Sequence, residues 1–259
     1  MSHHLVAVDA LRYAYPDGTP ALDGVTFAIH HGESVGLVGA NGAGKSTLLL
    51  HLAGVLFPRE GRVRVGDWPV TRETLAQVRR SLGIVFQDPD DQLFMPTVEE
   101  DVAFGPASLG LPPDEIEARV AAALARVGAE GLRKRPPHRL SGGEKRAVAI
   151  AAVLASSPDV LVMDEPSSNL DPAARRALIE QLRRFEHTKI VASHDLDLVL
   201  DVCDRTIVLA GGRVAADGPT REVLDDAPLL ARCRLERPLR LQACPRCGAG
   251  GHTDPPHAS

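Results

Sequence analysis

The stretch Gly39-Ala-Asn-Gly-Ala-Gly-Lys45-Ser46 decides how the rest of the chain is organised, because it fits the pattern G-x-x-x-x-G-K-[ST]. It follows a short apolar segment at 34–38 and precedes a segment of helical character at 46–52. Glycines let successive backbone N–H groups curl around an anion, and the start of a helix presents its positive dipole end to the same charge. The alternative is a glycine-rich turn that only opens a helix, and the strand–loop–helix context argues against it.

This stretch therefore predicts a phosphate-binding loop. In such a loop the lysine reaches the β and γ phosphates of a nucleotide, and the hydroxyl that follows binds Mg²⁺. Those two roles fall to Lys45 and Ser46. The residues predicted to bind the nucleotide here are Gly39, Ala40, Asn41, Gly42, Ala43, Gly44, Lys45, Ser46 and Thr47.

A second feature is the segment Val160-Leu-Val-Met-Asp164-Glu165, an apolar strand that ends in two carboxylates. Burying two acids costs free energy unless a cation or a substrate meets them. Beside a phosphate loop, the pair predicts that Asp164 belongs to the Mg²⁺ shell and that Glu165 polarises the attacking water. Taken alone, an Asp-Glu pair at a strand end would more simply cap a helix.

A third feature is Leu140-Ser-Gly-Gly-Glu144, which stands before an alanine-rich helix. Ser141 and Glu144 have the spacing of a capping box, which explains both residues without any nucleotide. A capping box leaves the two glycines unexplained, and glycines at a helix start suit an anion that approaches the backbone amides.

The order of apolar and helix-forming segments indicates an α/β fold. Strands and helices that alternate along the chain predict a parallel sheet with helical crossovers. The expected strands are antiparallel ones within 5–29, then 34–38, 62–70, 160–163, 190–192 and a hairpin at 205–217. The expected helices are 46–52, 71–81, 113–127, 144–155 and 172–185, and little packing is expected past Arg237.

Composition excludes several classes of protein. The 259 residues carry 29 Lys+Arg against 34 Asp+Glu, a net charge of -5, which argues against a general basic surface for nucleic acid. Aromatic residues make up 3%, too few for a platform that stacks single-stranded bases. The longest apolar run, 147–155, is about half of a membrane span, and the first residues lack a signal-peptide pattern. We expect a soluble, cytoplasmic protein that binds no nucleic acid.

With these motifs in this order, the chain resembles the ATP-binding subunits of ABC transporters over about residues 5–235. The string at 140–144 matches the signature motif of that family. The resemblance implies that Gln87 contacts Mg²⁺ and water, that His194 senses the γ-phosphate, and that Tyr15 stacks on adenine, with Tyr13 as a competitor. The implied metal ligands are Ser46, Gln87 and Asp164, and the implied catalytic residues are Glu165 and His194.

The resemblance also implies an architecture and a dimer. The fold would be a P-loop NTPase, RecA-like core with an antiparallel β subdomain and a helical signature subdomain at about 90–155. The ATP-binding domain would cover 1–237. Past Arg237 the composition shifts to Pro, Gly, Cys and His, which predicts a flexible tail at 238–259, outside the resemblance. Two copies, or this chain and a related ATPase, would close head to tail around ATP. The residues that would contact the partner's ATP are Ser141, Gly142, Gly143, Glu144 and Asp171.

Within the family, the runs at 83–94 and 97–106 are most similar to cobalt/nickel-type, energy-coupling-factor ATPases. This implies an ATPase at the cytoplasmic face of the membrane that drives uptake of nickel or cobalt through separate membrane subunits, with a vitamin as the alternative cargo. Ala40, and Ser167-Ser-Asn169, depart from the commonest residues without removing a catalytic group. Two alternative functions remain. One is a non-transport ABC ATPase in DNA repair, chromosome organisation or translation, and the other is a regulatory subunit that binds nucleotide without turnover.

Two further segments carry hypotheses. The stretch 87–100 gathers five acids around Leu93, Phe94 and Met95, which predicts a docking groove for the coupling helices of a membrane partner; a solvated acidic loop is the alternative. Near the end of the chain, Cys244 and Cys247 have the C-x-x-C spacing of a soft-metal site, and His252 follows. An unstructured, reduced terminus is the alternative for this tail.

Overall fold

The computed structural model describes residues 4–185 and 187–242, which form two sheets and a set of helices around them. The strands are β1 (His4–Ala14), β2 (Pro20–His30), β3 (Ser34–Val38), β4 (Glu60–Val65), β5 (Trp68–Pro69), β6 (Leu82–Val85), β7 (Val160–Asp164), β8 (Thr188–Ala192), β9 (Arg205–Ala210) and β10 (Arg213–Pro219). The helices are α1 (Lys45–Leu52), α2 (Leu75–Ser81), α3 (Val98–Ser108), α4 (Pro113–Val127), α5 (Gly142–Leu154), α6 (Pro172–Arg183), α7 (Leu196–Val202), α8 (Thr220–Asp225) and α9 (Ala227–Arg232).

The larger sheet has six strands in the order β10-β9-β3-β8-β7-β6. Its strands run parallel except β10, which pairs antiparallel with β9 at one edge. All five residues of β3 and of β8 are buried, as parallel strands covered on both faces require. Burial on both faces explains why the sequences of these strands are largely apolar without alternation.

The smaller sheet has four antiparallel strands in the order β2-β1-β4-β5. Its inward residues alternate along β1, where Val6 and Val8 are buried and Ala7 and Asp9 are not. They share one apolar cluster with residues of β3 and with Leu48 of α1. Helix α1, which begins at the phosphate loop, is therefore anchored from both sheets.

Helices α3, α4 and α5 pack against one another within the segment 98–154. Capping boxes open α3, at Thr97 and Glu100, and α5, at Ser141 and Glu144. Helix α4 ends at Gly128, whose φ of 70° is the left-handed conformation that glycine adopts without strain. Across residues 4–185 and 187–242, none of the helices combines the length and apolar composition needed to cross a membrane.

The structure differs from the sequence-based expectations in three places. Helix α2 begins at Leu75 and not at Thr71, because the Thr74 hydroxyl accepts a hydrogen bond from Thr71 N (3.2 Å) and holds the preceding residues in a turn. Strand β6 and helices α7 to α9 were not expected at all. Packing also continues past Arg237: Pro238 is buried, and Arg240 forms an ion pair with Asp201 (3.0 Å).

The parallel strands bring their carboxyl ends to one edge of the large sheet. Ala192 at the end of β8 is in register with Leu37 of β3 on one side and with Asp164 of β7 on the other. Because of this register, the segments that follow β3, β7 and β8 emerge side by side. They carry the phosphate loop, Glu165 and His194.

Replacement of Gly36 tests how closely β3 packs against α7. A Cβ at this position would lie 2.4 Å from Cγ1 of Val199, which is fully buried in α7. We expect Gly36→Ala to lower the free energy of unfolding by about 1–3 kcal/mol, the usual cost of overpacking a core. Denaturant unfolding followed by circular dichroism measures this difference.

The matched control is Gly131→Ala, because a Cβ at Gly131 meets nothing within 4 Å. We expect that variant to stay within about 0.5 kcal/mol of the parent chain. Equal stability of the two variants would show that the contact between β3 and α7 is looser than described.

Candidate active site

A cavity of about 470 Å³ opens at the carboxyl edge of the large sheet. It brings together segments that are far apart in the sequence and that the sequence analysis selected independently. The predicted site residues that line it are residues 41–47 of the phosphate loop together with Tyr15, Gln87, Glu165 and His194.

The phosphate loop has the backbone shape that its glycines permit. Gly42 and Gly44 have φ values of 78° and 104°, a region that side chains other than glycine rarely adopt. A Cβ at Gly39 would lie 2.5 Å from the carbonyl oxygen of Leu209. Gly44 occupies the N-cap of α1 and offers no side-chain cap, so the first N–H groups of the helix are turned toward the loop. This arrangement suits an anion.

The side chain of Lys45 follows the curve of the same loop. It is 7% exposed, and its Nζ donates to the carbonyl oxygen of Gly39 (2.7 Å). The ammonium group is therefore held where an anion cradled by the loop would meet it.

Three predicted metal ligands, Ser46, Gln87 and Asp164, line an adjoining cavity of about 650 Å³. Within the described residues, Oδ1 of Asp164 is buried and has no hydrogen-bond partner. Burial raises the pKa of Asp164, while a hydrogen bond with Ser46 opposes the rise. A buried carboxylate oxygen beside a hydroxyl and an amide is a donor set of the kind that Mg²⁺ takes in nucleotide sites, so these residues fit that ion.

Glu165 lies one residue beyond Asp164 and has a different environment. It is 7% exposed, and its backbone φ of 45° lies in the left-handed region. Its carboxylate accepts hydrogen bonds from the backbone N–H of His194 (3.1 Å) and from Ser193 Oγ (3.1 Å), and Nδ1 of His194 lies 2.8 Å from Oε2. A carboxylate held this way beside the phosphate loop can accept a proton from an attacking water.

The two candidate tyrosines have different surroundings. Tyr15 is 37% exposed in the cavity, and its hydroxyl lies 2.8 Å from Oγ1 of Thr47 in the phosphate loop. Tyr13 is buried in the core, where it packs edge-on against His51 with ring centroids 4.7 Å apart. Of the two, the geometry leaves only Tyr15 a ring face for a base.

Most of the signature residues lie apart from the phosphate loop of their own chain. Ser141, Gly143, Glu144 and Asp171 line a separate cavity of about 290 Å³, whereas Gly142 borders the larger cavity near Asp164. Ser141 is exposed, so its end of α5 is open to a second molecule.

The side chains of these residues also have structural roles. Ser141 N donates to Oε2 of Glu144 (2.7 Å), and Glu144 N donates back to Ser141 Oγ (3.3 Å). Asp171 accepts hydrogen bonds from two backbone N–H groups at the start of α6, each at 2.9 Å. The helix caps that explain these residues without nucleotide are therefore present, and a contact with a partner's ATP stays a prediction.

The acidic stretch at 87–100 is partly neutralised within the chain. Lys145 Nζ donates to both carboxylate oxygens of Asp90 (2.6 and 2.8 Å), and Glu99 forms ion pairs with Arg133 and Lys134. Glu100 is engaged in the capping box of α3. An acid-rimmed groove is thus an incomplete description of this surface.

The sequence analysis missed Phe104 and Arg146. Phe94 and Phe104 are 63% and 47% exposed and stack edge to face with ring centroids 5.1 Å apart. The guanidinium of Arg146 is buried and donates to the carbonyl oxygens of Phe86 (2.7 Å) and Gln87 (2.6 Å), which ties α5 to the Gln87 loop. A buried arginine that binds carbonyl groups carries no sequence pattern.

The proposed soft-metal residues Cys244, Cys247 and His252 lie outside the described residues. Within the described ranges, no group of three or more His, Cys, Asp or Glu side chains could hold a metal ion. Cys203 and Cys233 are buried, free thiols, and burial raises the pKa of Cys203 to about 12.

Comparison with known proteins identifies the family. The sequence profile of the ABC transporter family matches residues 22–168. A protein of Geobacter sulfurreducens, named as an ABC transporter ATP-binding protein, is 66% identical over 248 residues, which cover 96% of this chain and 100% of that protein. The energy-coupling factor transporter ATP-binding protein EcfA of Methanothermobacter thermautotrophicus is 47% identical over 239 residues, covering 90% of this chain and 77% of that protein.

Among solved structures, cbiO1 from Clostridium perfringens, described as part of the ABC transporter complex cbiONQ, has a TM-score of 0.78 and 42% sequence identity. The match covers 89% of this chain and 94% of that chain. The predicted P-loop NTPase fold class and the resemblance to ABC and energy-coupling-factor ATPases are therefore confirmed. The chain belongs to the ABC transporter family, as an ATP-binding subunit that hydrolyses ATP to drive transport.

Proposed function

We propose that this chain is the ATPase of an energy-coupling-factor importer, attached to the cytoplasmic face of the cell membrane through separate transmembrane subunits. The observation that carries the proposal is the cavity in which Glu165 and His194 face the phosphate loop. The named relatives EcfA and cbiO1 support the transporter class. We propose nickel or cobalt as the cargo, with a vitamin as the alternative, because the runs at 83–94 and 97–106 resemble those of cobalt/nickel-type ATPases.

In this proposal the chain's residues divide the chemistry of hydrolysis. The N–H groups of residues 41–46 and Lys45 hold the phosphates, and Tyr15 stacks on the base. Ser46, Gln87 and Asp164 would hold Mg²⁺, which supplies positive charge against the phosphates when bound. Glu165 accepts a proton from water, and the exposed ring of His194 is free to turn from Glu165 toward the γ-phosphate.

The domain division proposed from the sequence follows the same scheme. Residues 1–237 would form the ATP-binding domain, with 90–155 as its helical subdomain. Residues 238–259 would follow as an appendage, whose first residues, 238–242, pack against the domain. The tail takes no part in hydrolysis in this scheme.

Two copies of the ATPase would close head to tail, either as a homodimer or with a related chain. Support comes from the exposed start of α5, where Ser141 lies outside the cavity of its own phosphate loop. That loop already supplies N–H donors and Lys45 for one nucleotide. The start of α5 and Gly143 would therefore cover the γ-phosphate held by the partner.

Docking of the membrane subunits would use the surface at Phe94 and Phe104. Both rings are exposed, and Phe94 is held in place because Asp101 Oδ1 accepts a hydrogen bond from its backbone N–H (3.0 Å). Asp91 is exposed beside them, whereas Asp90 is already paired with Lys145. An amphipathic helix with an apolar face and a basic edge fits this surface.

Replacement of Glu165 tests the catalytic role. We expect Glu165→Gln to bind ATP, to hydrolyse it about 10²–10⁴ times more slowly, and to accumulate as an ATP-bound dimer, since the amide cannot accept the proton of water. Steady-state ATPase assays and size-exclusion chromatography with ATP measure both effects. Glu222→Gln, on the exposed surface of α8, is the control and should match the parent chain. Parental turnover by Glu165→Gln would contradict the assignment.

Removal of the exposed ring pair tests docking. We expect Phe94→Ala with Phe104→Ala to weaken binding to the membrane subunits about tenfold or more, because aromatic anchors dominate such interfaces. ATP affinity of the purified subunit should stay unchanged. Co-purification with the transmembrane subunits from detergent-solubilised membranes is the measurement.

Trp68→Ala is the control for the ring pair, because Trp68 is also an exposed aromatic residue (41%) but lies on β5. Charge reversal at Asp91 should add to the defect, whereas reversal at Asp90 would also break the ion pair with Lys145. Parental co-purification of the ring variant would refute the docking role, whereas a loss of its ATP affinity would trace weaker co-purification to misfolding.

A further inference from the structure

A buried hydroxyl holds the carboxylate of Glu165. We propose that Ser193 is a positioning residue for ATP hydrolysis, whose hydroxyl fixes Glu165 in line with the phosphate loop. This inference rests on the proposed role of Glu165 as the proton acceptor. It adds a residue that does not touch the substrate and that acts only through Glu165.

The carboxylate of Glu165 is oriented by hydrogen bonds from residues 193 and 194 and not by its own backbone. Glu165 N donates to the carbonyl oxygen of Ala192 (2.8 Å), which anchors the main chain at the end of β8. Its φ of 45° lies in the left-handed region, which is strained for a residue other than glycine. Three side-chain torsions separate this anchored backbone from the carboxylate, so the reactive oxygens need partners of their own.

The backbone N–H of His194 donates to both oxygens (3.1 and 3.2 Å), and two side chains that differ in exposure also contact the carboxylate. Nδ1 of His194 lies 2.8 Å from Oε2 of Glu165, but the His194 side chain is 64% exposed. Ser193 Oγ lies 3.1 Å from the same oxygen, and Ser193 is fully buried. When His194 turns toward the γ-phosphate, Ser193 is the side-chain donor that stays on Glu165.

The direction of the Ser193 hydrogen bond follows from its other contact. Asp195 N–H donates to Ser193 Oγ (3.0 Å) and occupies one lone pair of the hydroxyl oxygen. An ionised carboxylate only accepts hydrogen bonds. The hydroxyl proton of Ser193 is therefore directed at Glu165, where it fixes the orientation of the carboxylate.

Ser193 also connects Glu165 to the strand that carries the phosphate loop. Ser193 N donates to the carbonyl oxygen of Leu37 in β3 (3.2 Å), two residues before the loop begins at Gly39. The position of the Glu165 carboxylate relative to the phosphate loop is therefore fixed through the backbone of Leu37. Ser193→Ala keeps the bond to Leu37 and removes the donor to Glu165 together with the acceptor of the Asp195 N–H, whereas Ser193→Thr retains both.

The test compares Ser193→Ala and Ser193→Thr in the parent chain and Ser193→Ala in the Glu165→Gln background. In the parent chain we expect Ser193→Ala to lower kcat about tenfold, the effect of losing a hydrogen bond to a charged group, with KM for ATP within about twofold. Ser193→Thr keeps a hydroxyl and should restore kcat to within about threefold. In Glu165→Gln, adding Ser193→Ala should change the single-turnover rate by less than about twofold, because the two residues act as one unit.

A second readout does not depend on turnover. Glu165→Gln and its Ser193→Ala double variant should form the ATP-bound dimer equally well by size-exclusion chromatography. Thr206→Val is the control for deleting a buried hydroxyl, since Thr206 Oγ1 lies 2.9 Å from Oγ1 of Thr220, outside the cavity of the phosphate loop. Its kcat should be that of the parent chain.

Each alternative outcome identifies what fails. If Ser193→Ala has parental kcat, or if it costs as much in Glu165→Gln as in the parent chain, Ser193 does not act through Glu165 and the inference is wrong. The same follows if Ser193→Thr fails to restore kcat while its melting temperature is parental. Parental turnover by Glu165→Gln would instead overturn the proposed function itself.

Discussion

The backbone N–H groups of the phosphate loop must converge on one anion, and the rest of the structure depends on that constraint. Convergence requires left-handed φ values at Gly42 and Gly44 and the close approach of Gly39 to the carbonyl oxygen of Leu209. It also requires a strand that does not shift, and β3 is buried at all five positions between β8 and β9. The parallel order of the sheet then places the ends of β7 and β8 beside the loop.

Asp164 and Glu165, the neighbouring acids at the end of β7, have different hydrogen-bond partners. Asp164 keeps one buried carboxylate oxygen without a protein partner among the described residues, which suits a cation. The oxygens of Glu165 accept hydrogen bonds from residues 193 and 194, so they have protein partners without a cation. In the proposed mechanism one carboxylate therefore serves metal binding and its neighbour proton transfer, although one peptide bond joins the two residues.

Sequence reasoning reached the parts of the structure whose physics is local. The apolar run at 34–38 predicts a buried strand, the glycine spacing predicts the phosphate loop, and helix propensity predicts the helix at 113–127. The structure contains all three. Strand β6 was missed because its four residues, Leu82–Val85, follow α2 without a turn signal and are defined by pairing with β7. The contacts of Arg146 and Ser193 could not be read from sequence, since each joins residues that the chain order separates.

A mixing experiment tests the central claim, that each ATP is hydrolysed between the phosphate loop of one copy and the signature residues of another. Lys45→Ala and Ser141→Arg should each be inactive alone. Mixed in equal amounts, they should recover about a quarter of the parental ATPase rate, because half of the dimers then contain one intact composite site. If both residues acted on ATP within one chain, each site in the mixed dimer would carry a defect. No recovery in a mixture shown to contain mixed dimers would contradict the account.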